Sequence, residues 1–151
     1  MTKMIKKSVV VQVPVSTAYS QWTRFEEYPR FMGGVKEVKK LDNNQLHWIA
    51  KIGGELREWQ AEITEEVPNS KVAWAATEGP KNAAVVTLSE ISKGQTKVHL
   101  EFEFDLGAFG ADEEDELVVL SGLIEGDLER FAALVESESG TEAMPLPFAP
   151  G

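Results

Sequence analysis

At 151 residues, 42% hydrophobic and 26% charged, the chain has the length and balance of one globular domain and is too apolar to be disordered throughout. It has no cysteine, which excludes disulfides, thiolate metal sites, iron–sulfur clusters and cysteine nucleophiles. The net charge of −10 argues against nucleic acid as a partner, since phosphate binding needs a concentrated basic surface.

That charge is unevenly placed. Residues 1–100 carry 14 basic against 11 acidic side chains, a balance of +3, whereas residues 101–151 carry Arg130 alone against 14 acidic side chains, a balance of −13. No run of about 18 apolar residues is present, so no stable membrane insertion is expected. The valines after Lys7 soon meet Gln12 and Pro14, too short a stretch for a secretory signal, and a cytoplasmic location is expected.

In chain order, Ile5 to Val13 is β-branched and predicts a first strand that Pro14 ends. Ser16 and Thr17 are helix-cap candidates, and Ala18, Tyr19, Trp22 and Phe25 follow at helical spacing. A second short helix is expected through Glu26–Met32, with Pro29 tolerated in its first turn and Gly33-Gly34 as its stop. From Val35 the period becomes two. Strands are expected over Val35–Leu41, Leu46–Ile52, Glu55–Val67, around Val72 and Trp74, Asn82–Ile91 and Thr96–Leu106. The turns between them fall at Asn43-Asn44, Gly53-Gly54, Pro68-Asn69-Ser70, Glu78-Gly79-Pro80 and Lys93-Gly94. Short connections between successive strands imply an antiparallel meander with one apolar face.

The last element is a helix starting near Asp112. Acidic residues Asp112 to Glu116 complement the partial positive charge of its N-terminus and account for much of the C-terminal charge. Leu117, Leu120, Ile124, Leu128, Phe131 and Val135 form an apolar stripe, and about 25 residues give a rod of roughly 37 Å, long enough to cross a sheet. Gly122 and Gly126 inside it mark either a bend or close contact, or room left above a pocket. One domain over 1–138 and a flexible Pro/Gly/Ser tail over 139–151 are expected.

The order strand, two short helices, about six antiparallel strands and one long helix, together with particular stretches, carries a family resemblance. The stretches are Val13-Pro14-Val15-Ser16-Thr17-Ala18-Tyr19, Trp22 to Met32, Leu46-His47-Trp48, Glu58 to Ile63 and Val72-Ala73-Trp74. Over roughly residues 4–138 the chain resembles the polyketide cyclase/dehydrase branch of the START-like (SRPBCC, helix-grip) superfamily, which has coenzyme-Q-binding relatives. The resemblance implies an α+β helix-grip fold, in which a curved sheet grips the C-terminal helix around an apolar cavity. Family members use that cavity to carry lipids, isoprenoid quinones or polyketides, and some cyclise or dehydrate them. A fold alone selects none of these.

Strand parity selects the inward residues independently. If Leu46, Trp48 and Ala50 face inward, so do Trp59, Ala61 and Ile63, Val72 and Trp74, Val86 and Leu88, and Val98, Leu100, Phe102 and Phe104. His47 and His99 then face outward, which removes them as a metal pair or triad. Each aromatic either fills the core or lines a pocket, since apolar pockets are walled largely by aromatics. The expected ligand-binding set is Tyr28, Phe31, Met32, Trp48, Trp59, Ala61, Trp74, Val86, Leu88, Phe102, Phe104, Leu120 and Ile124. No metal and no cofactor is expected: the sequence has no phosphate loop, no Gly-x-Ser-x-Gly and no His-Glu-x-x-His. Of polar groups that could steer an enolate or donate a proton, Tyr19, Tyr28 and Arg57 are the catalytic candidates, although a strand-end Arg57 can also reach water.

Three functions follow as expectations. The first is binding or carriage of a small hydrophobic partner molecule (lipid, isoprenoid quinone or polyketide-like). The second is a polyketide cyclase/aromatase- or dehydratase-like enzyme. The third is a protein–protein module with a closed cavity, which a cavity no larger than about 300 Å³ would favour. Oligomeric state is not specified by the sequence.

Overall fold

The fold is that of a computed structural model describing residues 2–42, 44–52, 54–105 and 113–143, with side chains described for these except 113–115 and 139–143. Strand β1 (Thr2–Val11) leads into helix α1 (Val15–Trp22) and a 3-10 helix (Phe25–Arg30). Strands β2 (Val35–Lys40), β3 (Gln45–Ile52), β4 (Glu55–Val67), β5 (Lys71–Glu78), β6 (Asn82–Ser92) and β7 (Gln95–Asp105) follow, then helix α2 (Glu113–Ala143). The sheet order is β1-β7-β6-β5-β4-β3-β2 and every pair is antiparallel. The chain thus makes a six-strand meander and returns its first strand to pair with its last.

Local chemistry explains most of the boundaries. Pro14 takes the N-cap position of α1 with extended φ and ψ and no side-chain cap, so Ser16 and Thr17 lie inside the first turn rather than capping it. Pro29 is the fifth residue of the 3-10 helix and not in a first turn as expected, so without an N–H it donates no i→i−3 bond there. Asn44 (φ 60°) and Asn69 (φ 60°) take the left-handed positions of the β3 approach and the β4–β5 turn, as short polar side chains permit. Asn43, Gly53, Leu106 and Asp112, named in the expected turns and boundaries, lie outside the described residues. Helix α2 continues to Ala143, past the expected boundary at 138.

Register shifts interrupt the ladders at Val35/Glu37, at Gln60/Ala61 and Ile63/Glu65, and at Glu90/Ser92. Such bulges bend a strand and increase its twist, curving the sheet. Opposite the shift after Ile63, Val72, Ala73 and Trp74 of β5 are all buried, a departure from strict alternation.

The concave face holds the core. Leu46, Trp48, Ala50, Trp59, Ala61, Ile63, Val72, Trp74, Ala84, Val86, Leu88, Val98, Leu100 and Phe104 are buried there, as parity requires. Leu120, Ile124, Leu128, Phe131 and Val135 bury the stripe of α2. Leu117 is instead exposed, and Glu116 takes the buried position one residue earlier. His47 and His99 lie on the outer face, where His47 Nε2 meets Glu58 Oε2 at 2.7 Å and His99 Nδ1 meets Ser8 Oγ at 2.7 Å. No helix of the described residues is long and apolar enough to cross a membrane.

Candidate functional site

The interior divides into two halves along the strands. At one end α1 and the 3-10 helix insert an aromatic plug. Trp22 packs edge-on against Tyr28 and Phe31, with ring centroids 5.6 and 5.3 Å away, and lies 4.8 Å from Phe131 of α2. Tyr28 reaches on to Trp48 and Trp74 at 5.8 and 5.6 Å. Next to it a cavity of about 100 Å³ remains between the sheet and the first half of α2.

The sheet wall of this cavity is aromatic: Trp48, Trp59, Trp74 and Phe102, with Ala50, Ile52, Ala84 and Leu100 between them. Trp48 stacks between Trp59 (5.6 Å, planes 8° apart) and Trp74 (5.7 Å, 27°). These rings cluster because Trp48 is registered opposite Trp59, and Trp74 opposite Ile63 and Ala84. Helix α2 contributes Leu120, Leu123, Ile124, Asp127 and Leu128, and the segment after the 3-10 helix contributes Met32, Gly34 and Val35. Trp22 and Asn82 complete the wall. Gly34, Val35, Phe102, Leu123 and Asp127 are half-buried, which marks the solvent side of the cavity.

Polar groups in this wall are few. The indole Nε1 atoms of Trp22 and Trp48 are buried with no hydrogen-bond partner among the described residues. Such a donor, desolvated and unpaired, costs about 1–3 kcal/mol. Asn82 donates through Nδ2 to the Pro80 carbonyl at 2.8 Å. Asp127 ties α2 to the segment before β2: its Oδ1 accepts from the Gly33 backbone N–H at 3.0 Å and from Arg130 Nη2 at 2.6 Å. Arg130 Nε donates to the Phe31 carbonyl at 2.8 Å, completing the clamp. Glycine at 33 makes this fit, because a Cβ there would stand 2.9 Å from Arg130 Nη2. Burial pushes the Asp127 carboxyl above the usual carboxylate range, outweighing the Gly33 and Arg130 hydrogen bonds that stabilise its charge.

Seven residues of the expected ligand set lie in the wall: Met32, Trp48, Trp59, Trp74, Phe102, Leu120 and Ile124. The other six are placed elsewhere. Tyr28 and Phe31 sit in the aromatic plug, and Ala61, Val86, Leu88 and Phe104 occupy the same concave face beyond the cavity. Parity assigns a face and says nothing about position along it. The three catalytic candidates are all outside the wall. The Tyr28 hydroxyl donates to the Trp22 carbonyl at 2.6 Å, and burial, then the charge of Glu66, pushes its pKa well above 10. Burial, then Glu66, also raises Tyr19. Arg57 Nη2 lies 3.5 Å from Glu55 Oε2 near the start of β4. Asp127 was not singled out by the sequence because it sits on the polar side of its neighbours in an acidic stretch. A carboxylate three residues before the only C-terminal cation, Arg130, is the signal that would have found it. Neither Gly122 nor Gly126 lines the cavity; a Cβ at Gly126 would meet Arg130 Nη1 at 3.2 Å. No group of three metal-ligating side chains occurs among the described residues.

The family described as "Polyketide cyclase / dehydrase and lipid transport" matches residues 11–131. The chain belongs to this family. A relative from Streptomyces lincolnensis, an uncharacterized 17.2 kDa protein of the melC2-rnhH intergenic region, is 38% identical over 139 residues, covering 91% of this chain and 92% of its own. Among solved structures, a START superfamily protein from Mycobacterium smegmatis superposes with a TM-score of 0.78 at 16% identity, covering 89% of this chain and 97% of that one. The Zhui aromatase/cyclase from a Streptomyces species superposes with a TM-score of 0.72 at 13% identity, covering 96% and 98%. These likenesses show the START-like helix-grip fold, and the family links it to ligand binding or cyclase chemistry.

Proposed function

We propose that the protein binds or carries a small hydrophobic molecule in the cavity between the sheet and α2, in the cytoplasm. The observation that carries this reading is the wall itself: five aromatic side chains and a row of aliphatic ones around an open space. Burying apolar surface there contributes about 25 cal/mol per Å². The volume of about 100 Å³ limits what is enclosed. It is below the roughly 300–1,000 Å³ of drug-sized pockets and closer to the ~150 Å³ cavity that holds benzene. One ring or a short chain segment fits inside, with the remainder of a larger lipid, quinone or polyketide extending past the half-buried side.

A second reading, cyclase-type chemistry, is favoured by Asp127, a carboxyl raised by burial at the edge of an apolar cavity. Such a group is suited to take a proton from carbon between two carbonyls. The small volume is what favours the third reading, a closed interaction module.

Native mass spectrometry of gently purified protein, followed by organic extraction and by titration with 4-ethyltoluene, tests the proposal. A retained mass extracting as a lipid, quinone or polyketide, or saturable binding of the hydrocarbon that weakens in Trp59→Ala or Trp74→Ala, is expected. No retained mass together with no saturable binding would overturn it in favour of the closed module.

A further inference from the structure

We propose that the cavity selects a neutral hydroxyl-bearing molecule, a hydrophobic alcohol or phenol, and that Asp127 is the acceptor that recognises its O–H. This rests on the cavity-binding reading above and deepens it. Asp127 is the one ionisable residue of the described cavity wall, and its side chain is only 16% exposed. Its two oxygens are used unequally. Oδ1 receives both Gly33 N–H and Arg130 Nη2, whereas among the described residues no hydrogen bond reaches Oδ2.

A carboxylate has about four acceptor sites and no donor, so the complement of Oδ2 is a donor on the ligand. The clamp between α2 and the segment before β2 needs only Oδ1. By engaging that oxygen from two directions it also fixes the rotation of the carboxyl group and so the placement of Oδ2. The charge pattern narrows the donor. Arg130, 2.6 Å from Asp127, already balances the carboxylate, so an ammonium would bring a surplus cation into an apolar wall. An ionised fatty acid would set like charges together, and an ester or a plain hydrocarbon has no donor. An alcohol or phenol supplies the hydrogen bond and leaves the rest of its surface for Trp48, Trp59, Trp74 and Phe102.

The full chain is titrated by calorimetry with 4-ethylphenol and with 4-ethyltoluene, which have nearly the same shape and differ in hydroxyl against methyl. The wild-type protein is expected to bind the phenol at least about tenfold more tightly, as a hydrogen bond to a charged group allows. In Asp127→Asn, Gly33 still holds the amide oxygen and an NH2 replaces Oδ2. That preference, the ratio of the two affinities measured in the same variant, should fall below about threefold. Thermal melting monitors folding, and Asp127→Leu provides a second variant with no acceptor. Equal or tighter binding of 4-ethyltoluene by the wild type would overturn the inference and leave the cavity reading standing. A tenfold preference that survives in both variants would remove Asp127 as the acceptor. Failure of both probes to bind the wild type would overturn the cavity reading along with it.

Discussion

Narrowing the cavity from the sheet side should weaken binding without unfolding the protein, and Ala84 is the position for it. Ala84 is buried, lies in the cavity wall, and is registered between Trp74 on β5 and Phe102 on β7, both also in the wall. Ala84→Leu adds three carbon atoms. At the about 10–15 Å³ that a water-sized group needs on the same measure, they occupy roughly 30–45 Å³ of a cavity of about 100 Å³. Burying three such groups at ~0.8 kcal/mol each favours folding by up to about 2.4 kcal/mol. Imperfect fit among rigid rings costs about 1–3 kcal/mol. The two effects offset, so urea unfolding should show a change of less than about 2 kcal/mol. Calorimetry with 4-ethyltoluene should show affinity lowered at least about tenfold, because a ligand must give up the space that the new side chain takes. An unchanged affinity in a folded Ala84→Leu protein would refute the placement of the ligand in this cavity.

Gly79→Ala should destabilise by about 1–3 kcal/mol in urea unfolding and also weaken hydrocarbon binding. Gly79 has φ +87°, and its Cβ would stand 2.6 Å from the Cβ of Trp59, a cavity residue, so relief of the clash moves that ring. Tyr28→Phe should cost about 1–2 kcal/mol by leaving the buried Trp22 carbonyl without its hydroxyl donor, with ligand affinity changed less than twofold because Tyr28 is outside the wall. The same variant isolates a pH effect. Burial raises the folded-state pKa of Tyr28 above its unfolded value near 10, so above pH 10 the native state holds a proton that the unfolded chain releases. Wild-type stability should therefore fall as pH rises above 10, and Tyr28→Phe should lack that component when the two proteins are melted in parallel.

Much of the fold was legible because its signals are local. Alternation in Leu46–Ile52, the Asn and Gly turn residues and the stripe Leu120–Val135 each specify an element without its partners, and the inward strand residues follow from a period of two. Pro14 shows the limit of residue-type signals: Ser16 and Thr17 have the right chemistry for a cap, yet proline's fixed φ starts the helix two or three residues earlier. The location of the cavity was not legible. Ala61, Val86 and Leu88 share a face with Ala50, Ala84 and Leu100, and what separates them is which part of that face α1 and the 3-10 helix cover. That is a tertiary property. Asp127 was hidden for a related reason, since its role depends on Gly33 and Phe31, almost a hundred residues earlier in the chain.

The same division of the interior bears on how a ligand is held. On the plug side, Trp22, Tyr28, Phe31 and Phe131 touch one another, and Tyr28 continues the contact to Trp48 and Trp74. Rings with two χ angles each, packed this closely, lose little further freedom when a ligand arrives, so the sheet wall is preorganised and the ordering cost of binding is small. The opposite wall is attached differently. Beside the cavity, among the described residues, α2 meets the Phe31–Gly34 segment through two hydrogen bonds, Gly33 N–H to Asp127 and Arg130 to the Phe31 carbonyl, and the Arg130 side chain is about half exposed. Hydrogen bonds open to water exchange more readily than stacked aromatic contacts break. A ligand bound as proposed would therefore enter most cheaply on the α2 side, past half-buried Val35, Phe102 and Leu123. On the proposal above, the residue that would meet an entering hydroxyl group there also holds the cover in place.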